Sequence, residues 1–168
     1  MTEALPELRV AAGLLFDSGD RVLLAQRPHG REDAGLWELP GGKLEAGETA
    51  YQALRRELSE ELDIDIRGGE PLIRVPQRQS RRLLWLEAIE VREWRGEPRG
   101  LEGQALRWVR PEDIDPAALP AADRPILACL RQPALYWISP EAVAQPAAFE
   151  AWFAAAHAAG AQRLQLRV

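Results

Sequence analysis

Leu39-Pro40-Gly41-Gly42-Lys43-Leu44-Glu45-Ala46-Gly47-Glu48 leads directly into Thr49–Leu62, and the fold turns on how these two stretches read together. From Arg27 to Gly47, glycines and prolines break every regular pattern. That span is expected to be a long loop with one short strand near Trp37–Leu39, and long loops in compact domains are often functional. Thr49–Leu62 then reads as a helix, with Ala53, Leu54 and Leu58 on one face and Thr49 as N-cap. Glu57, Glu60 and Glu61 stand at i, i+3 and i+4 on it, so three carboxylates share one face. Taken alone, such a cluster is also what a solvated acidic face looks like. Taken with the loop before it, it is a set of hard oxygen donors suited to magnesium or manganese, whose charge would offset the repulsion. Paired glycines let backbone approach a ligand closely, and Lys43, the only lysine in the chain, supplies a compact charge for phosphate.

Outward from this centre, Leu8–Phe16 and Arg21–Gln26 are apolar runs around Asp17-Ser18-Gly19-Asp20, the pattern of a β-hairpin. Further strands are expected at Ile64–Arg67, Leu72–Pro76, Leu83–Val91 and Gln104–Val109, with turns at Gly68-Gly69 and Gly96-Glu97-Pro98. Asp123 can cap a helix that has Pro125 in its first turn and continues to about Leu130. Strands on both sides of a helix imply an α/β sandwich. After Pro133 the chain reads as strand, alanine-rich helix (Pro146–Ala159), Gly160 as C-cap and strand (Arg163–Val168), which is a β-α-β unit.

Composition narrows the function. A chain of 168 residues with 46% hydrophobic content can bury one substantial core, with an appendage rather than a second full domain. A net charge of -5 disfavours a broad grip on a nucleic-acid polymer, which needs a basic face. One cysteine, Cys129, cannot form an internal disulfide, and no apolar run is long enough to span a bilayer. With no export signal at the N-terminus, a cytoplasmic setting is expected.

Gly42, Glu48, Arg56, Glu57, Leu58, Glu60, Glu61 and Ile64 fall in the order G-x5-E-x7-R-E-U-x-E-E-x-G-U, and this resembles the Nudix box. One position departs: Asp63 stands where the family usually has glycine, just past the helix end, and aspartate can adopt the left-handed conformation there at modest cost. Beyond the box, residues 8 to 131 are similar to the MutT type through Val10-Ala11-Ala12-Gly13, Gln26-Arg27-Pro28, Leu36–Lys43, Gly100–Gln104 with Trp108, and Leu119–Ile126. The resemblance implies a Nudix α/β/α sandwich with a mixed sheet over residues 1–132. It also implies magnesium-dependent (or manganese-dependent) hydrolysis of a nucleoside triphosphate to a monophosphate and pyrophosphate.

Carried over by position, Glu57, Glu60, Glu61 and Glu102 with the carbonyl of Gly41 would bind the metal, and Arg56 would orient the carboxylates. Either Glu57 or Glu102 would take the proton from water. Arg27 and Lys43 would meet the phosphates, while Leu39, Asp123 and Arg81 would face the nucleotide; Arg81 equally fits a solvent-facing strand edge. The oxidised purine nucleotide 8-oxo-dGTP is the favoured substrate, although relatives of that kind usually carry asparagine where this chain has Asp123. The alternatives are a Nudix hydrolase for another diphosphate, such as ADP-ribose, and a nucleotide sensor without turnover. The tail, residues 133–168, resembles the opening of thiamine-phosphate-synthase-like barrels through Tyr136–Pro140 and Gly160–Arg167, with Gln165 and Arg167 at that family's ligand positions. It therefore reads as a fragment of a longer chain rather than an extra β-α-β element packed on the Nudix domain, and its exposed strand edges and apolar helix face are a motive for a homodimer or for disorder.

Overall fold

The structure is a computed structural model that describes residues 5–28, 30, 33–133, 136–139, 146–161 and 163–165. It divides into two compact units, Met1–Leu130 and Arg131–Val168. In chain order the first contains β1 (Glu7–Leu15), β2 (Val22–Gln26), β3 (Trp37–Glu38), β4 (Gly41–Lys43), α1 (Ala50–Leu62), β5 (Asp65–Ile66), β6 (Glu70–Arg78), β7 (Leu83–Val91), β8 (Trp94–Arg95), β9 (Leu106–Val109) and α2 (Arg124–Leu130). No helix among the described residues is long and apolar enough to cross a membrane.

A mixed sheet in the order β4-β1-β7-β6 forms the frame. β1 runs parallel to β7, while β4 and β6 are antiparallel to their neighbours. Parity along β1 explains the layers. Ala12 and Leu14, with Phe16 just beyond the strand, join Val75, Leu86 and the α2 residues Ile126 and Leu127 in one core cluster. Ala11 and Leu15 join Leu54, Leu58 and Leu62 of α1 in another. A strand buried on both faces reads as a continuous apolar run, which is the pattern Val10–Phe16 shows. Gly13 leaves little room between β1 and α1: a Cβ there would lie 2.8 Å from Leu15 Cδ1 and 3.2 Å from Leu54 Cδ1.

The expected hairpin holds at its turn and fails beyond it. Asp17 Oδ1 accepts hydrogen bonds from the Gly19 and Arg21 amides, both at 2.9 Å, but Phe16↔Val22 is the one bridge between the two runs. β1 spends both edges on β4 and β7, so β2 leaves to form a second sheet, β3-β2-β9. The glycine-rich loop is also more regular than expected, because Gly41–Lys43 pairs antiparallel with Val10–Ala12. β6 extends beyond Leu72–Pro76 despite Pro71 and Pro76, which an edge strand tolerates because one side needs no donors.

In the second unit, β10 (Tyr136–Ile138) pairs in parallel with β11 (Arg163–Gln165), and α3 (Pro146–Ala158) lies between them in sequence. The expected strand residues Ala134 and Leu135, and Arg167 with the rest of the last strand beyond Gln165, lie outside the described residues.

Candidate active site

Two local features fix α1. Its N-terminus carries a capping box, in which Thr49 Oγ1 accepts from the Gln52 amide while the Gln52 side chain accepts from the Thr49 amide. Its C-cap, Asp63, has the left-handed conformation at φ 57° and ψ 37°, so aspartate takes the backbone geometry for which the family pattern uses glycine.

The glycine pair shows two kinds of constraint. Gly41 has φ +146°, and a Cβ on it would lie 2.2 Å from the Ala11 carbonyl oxygen. Gly42 has no such backbone demand, but its Cβ would lie 2.2 Å from Cδ of Glu57. The Glu57 carboxylate therefore occupies the space that any larger residue at position 42 would fill. Arg56 holds the arrangement from the side. It donates to both oxygens of Glu48 at 2.9 Å, to Glu57 Oε1 at 2.9 Å and to the Lys43 carbonyl at 3.0 Å. Glu60 Oε2 is 3.6 Å from the same guanidinium. Hydrogen bonds from Arg56, then from the Glu45 amide, pull the Glu48 carboxyl down to about 2, well below the usual carboxylate range.

The sequence-derived residues separate into groups here. Arg27, Leu39, Gly41, Lys43, Glu61 and Asp123 line one cavity of about 510 Å³. Glu57 and Arg56 lie behind Gly42, and Glu60 is largely exposed. The three carboxylates share a helix face without meeting at one point, since like charges diverge and Glu57 and Glu60 both turn to Arg56. Among the described residues no three acidic, histidine or cysteine side chains converge into a ligand set. The donors are nonetheless all hard oxygens, and the Glu57 carboxylate is held against Gly42, beside Gly41; that chemistry fits a divalent cation such as magnesium.

Glu102 lies on an exposed loop fastened to the end of α1. The Arg99 amide donates to the Leu62 carbonyl at 3.0 Å, while the Leu101 amide (2.9 Å) and Gln104 Nε2 (3.2 Å) both donate to the Glu61 carbonyl. Gln104 Oε1 in turn accepts from the Glu102 amide at 2.9 Å. Gln104, which the sequence placed only within a matching stretch, thus ties the Glu102 backbone to the end of α1.

Asp123 does not spend its carboxylate on capping α2. The Leu39 amide, 84 positions away, donates to its Oδ2 at 3.3 Å, drawing it toward the cavity. The side chain is buried, and that burial raises its carboxyl from the ordinary 3.8 to about 7; the Leu39 amide opposes the shift and the nearby Glu38 adds to it. Glu38 itself pairs with Arg27 and lines the same cavity.

Arg81 is not in the cavity wall; Arg82 is, with Gln77 and Gln79. The turn explains the exchange, since the Gln79 amide donates to the Arg82 carbonyl and Arg82 Nε donates to Gln79 Oε1, folding Arg82 back over the strand end. Arg81 lines a separate depression at the turn with Ser80.

The NUDIX domain family matches residues 6–130, and the chain belongs to it. It is a Nudix hydrolase, with relatives named as diphosphatases and pyrophosphohydrolases. The CTP pyrophosphohydrolase of Escherichia coli K12 is 41% identical over 120 residues, which is 71% of this chain and 88% of the relative. The 8-oxo-dGTP diphosphatase of Haemophilus influenzae is 37% identical over 120 residues, again 71% and 88%. Among solved structures, the solution structure of the E. coli ORF135 protein superposes with a TM-score of 0.67 at 39% identity, covering 74% of this chain and 89% of that one. A structure of MutT, from work on Aliivibrio salmonicida and Vibrio cholerae, gives 0.63 at 32% identity, covering 74% and 96%.

Proposed function

We propose that this Nudix hydrolase cleaves a nucleoside triphosphate to a monophosphate and pyrophosphate, with 8-oxo-dGTP as its substrate in the cytoplasmic nucleotide pool. One observation carries the reading: a single cavity joins Gly41–Lys43 and Glu61 to the buried carboxyl of Asp123. A lysine able to meet phosphate, an acidic group able to meet a metal and a buried carboxyl able to meet a base therefore share one chamber.

Lys43 and Arg27 present cationic groups to the phosphates. Glu57, Glu60, Glu61 and Glu102 with the Gly41 carbonyl would hold magnesium or manganese, which supplies positive charge against the phosphate oxygens. Arg56 keeps Glu57 in place. Water adds to the β-phosphorus, the bridging oxygen leaves with the monophosphate, and Glu57 or Glu102 accepts the proton.

Asp123 and Leu39 set the base end. A protonated Asp123 offers one donor and one acceptor, matching O6 and N7–H of 8-oxoguanine. The same pair also matches N3 and the amino group of cytosine, and with a relative named CTP pyrophosphohydrolase this makes CTP the second reading. The tail is read as the opening β-α-β of a thiamine-phosphate-synthase-like barrel over residues 133–168. Parallel pairing of β10 with β11 supports this, and exposed Ile138 and Phe153 offer an apolar surface to a second copy.

The test is a panel of 8-oxo-dGTP, dGTP, CTP and ADP-ribose with magnesium, assayed for monophosphate and pyrophosphate. Glu57→Gln and Glu61→Gln are each expected to lower kcat by about 100-fold or more. Undiminished turnover in both would refute the site, a preference for ADP-ribose would refute the triphosphate reading, and binding without turnover would indicate a sensor.

Asp123 adds a pH signature. Because its carboxyl is raised from 3.8 to about 7, the folded chain binds that proton more tightly than the unfolded chain across this window. Stability therefore falls as pH rises from about 4 to 7 and stays reduced above it. Asp123→Asn should remove this loss, so that its melting temperature, relative to wild type, is higher at pH 8 than at pH 5. An unchanged difference between the two pH values would show that Asp123 does not titrate in this range.

A further inference from the structure

The cavity floor is a patch of the mixed sheet whose rows can be read from the strand register. Lys43 of β4 pairs with Val10 of β1, Val10 with Leu86 of β7, and Leu86 with Val75 of β6. In the adjacent row on the same face, Leu8 pairs with Leu84 and Leu84 with Gln77. Leu8, Val10, Leu84, Leu86, Lys43 and Gln77 all line the cavity. The floor is thus apolar in the middle and polar at both edges. Three inter-strand steps separate the β4 edge from the β6 edge, a span of about 14 Å.

Gln77 places a carboxamide at the β6 edge of this floor. Ile73, Val75 and Gln77 alternate along one face of β6, and the third of these is a carboxamide where the pattern calls for an apolar side chain. Gln79, its neighbour in the wall, is engaged by Arg82. No hydrogen bond joins the Gln77 side chain to another described residue. It is half-buried, so its donor and acceptor are presented to the cavity beside an apolar floor. Open to the cavity, the carboxamide can exchange water for the polar edge of a ligand that settles on the apolar floor.

We infer that Gln77 is a specificity-determining residue that hydrogen-bonds the edge of the substrate's base while Leu84 and Leu86 support its face. The inference rests on the nucleoside-triphosphate reading above. A carboxamide donates and accepts at once, so it suits a base edge where a ring N–H adjoins a carbonyl, as in an oxidised purine. Removing that match leaves polar groups of the base unpaired, which discriminates far more strongly than lost apolar contact.

The experiment compares wild type, Gln77→Leu and Gln77→Glu on 8-oxo-dGTP, dGTP, CTP and ribose 5-triphosphate, which has no base. Gln77→Leu is expected to lower kcat/KM for the preferred nucleotide by about 10-fold or more, mainly through KM, and to leave ribose 5-triphosphate within about twofold. Gln77→Glu, which keeps the size and loses the donor, should reorder the preference among bases. Equal losses with and without a base would overturn the inference, as would selectivity that neither variant changes. Wild type that turns over no triphosphate would overturn the parent reading and this inference together, whereas a selective wild type with silent variants overturns the inference alone.

Discussion

Gly42→Ala should give a folded protein that hydrolyses its substrate about 100-fold more slowly or worse. The backbone at Gly42 is not in the left-handed region and tolerates alanine, so the cost is steric alone. The new methyl would lie 2.2 Å from Cδ of Glu57 and within 2.5 Å of both carboxylate oxygens. Glu57 must then rotate away from the glycine turn, breaking its 2.9 Å bond from Arg56. Displacement of a reacting group by 1 Å is enough to cost two orders of magnitude. Circular dichroism and the melting transition should stay near wild type while kcat collapses; activity within a factor of three of wild type would show that Glu57 is not held there. Gly41 is different in kind, because a side chain there would strike the Ala11 carbonyl and part β4 from β1.

Arg56→Ala is expected to lower kcat by a similar two orders of magnitude, and Arg56→Lys to recover little of it. A planar fork reaches both oxygens of Glu48 while also holding Glu57 and the Lys43 carbonyl; an ammonium cannot span that geometry. Acid titration provides a second readout. Glu48 is held at about 2 chiefly by Arg56, so the stability that this pair contributes is complete above about 4.5 and is lost as pH falls through 2. In Arg56→Ala that component of the acid-induced loss should vanish. Melting curves between pH 7 and 2 that run parallel for the two proteins would contradict the assignment.

Much of this was legible in the chain. The box residues specify α1, Thr49 caps it, and the Leu83–Val91 strand has the bounds its apolar pattern suggests, because these features are local. What was hidden is set by pairing between distant segments. Nothing near Gly19 says that β2 will leave β1 for another sheet; that follows from β4 and β7 occupying both edges of β1. Asp123 carries a good capping signal, yet its side chain answers to the Leu39 amide, a contact only the folded chain creates. The alternation Ile73, Val75, Gln77 could have placed Gln77 on the cavity side, whereas the exchange of Arg81 for Arg82 depends on how the Gln79–Arg82 turn closes.

The loop bearing Glu102 is not a separate lid, since three donors tie it to the carbonyls of Glu61 and Leu62. It behaves as an outrigger of α1. In the proposed role of Glu102, any inward movement of this loop is resisted by the last turn of the helix and, through Asp63, against which Gly96 packs, by the β5–β8 ribbon. Substitutions in that ribbon are therefore expected to alter turnover without touching a reacting atom.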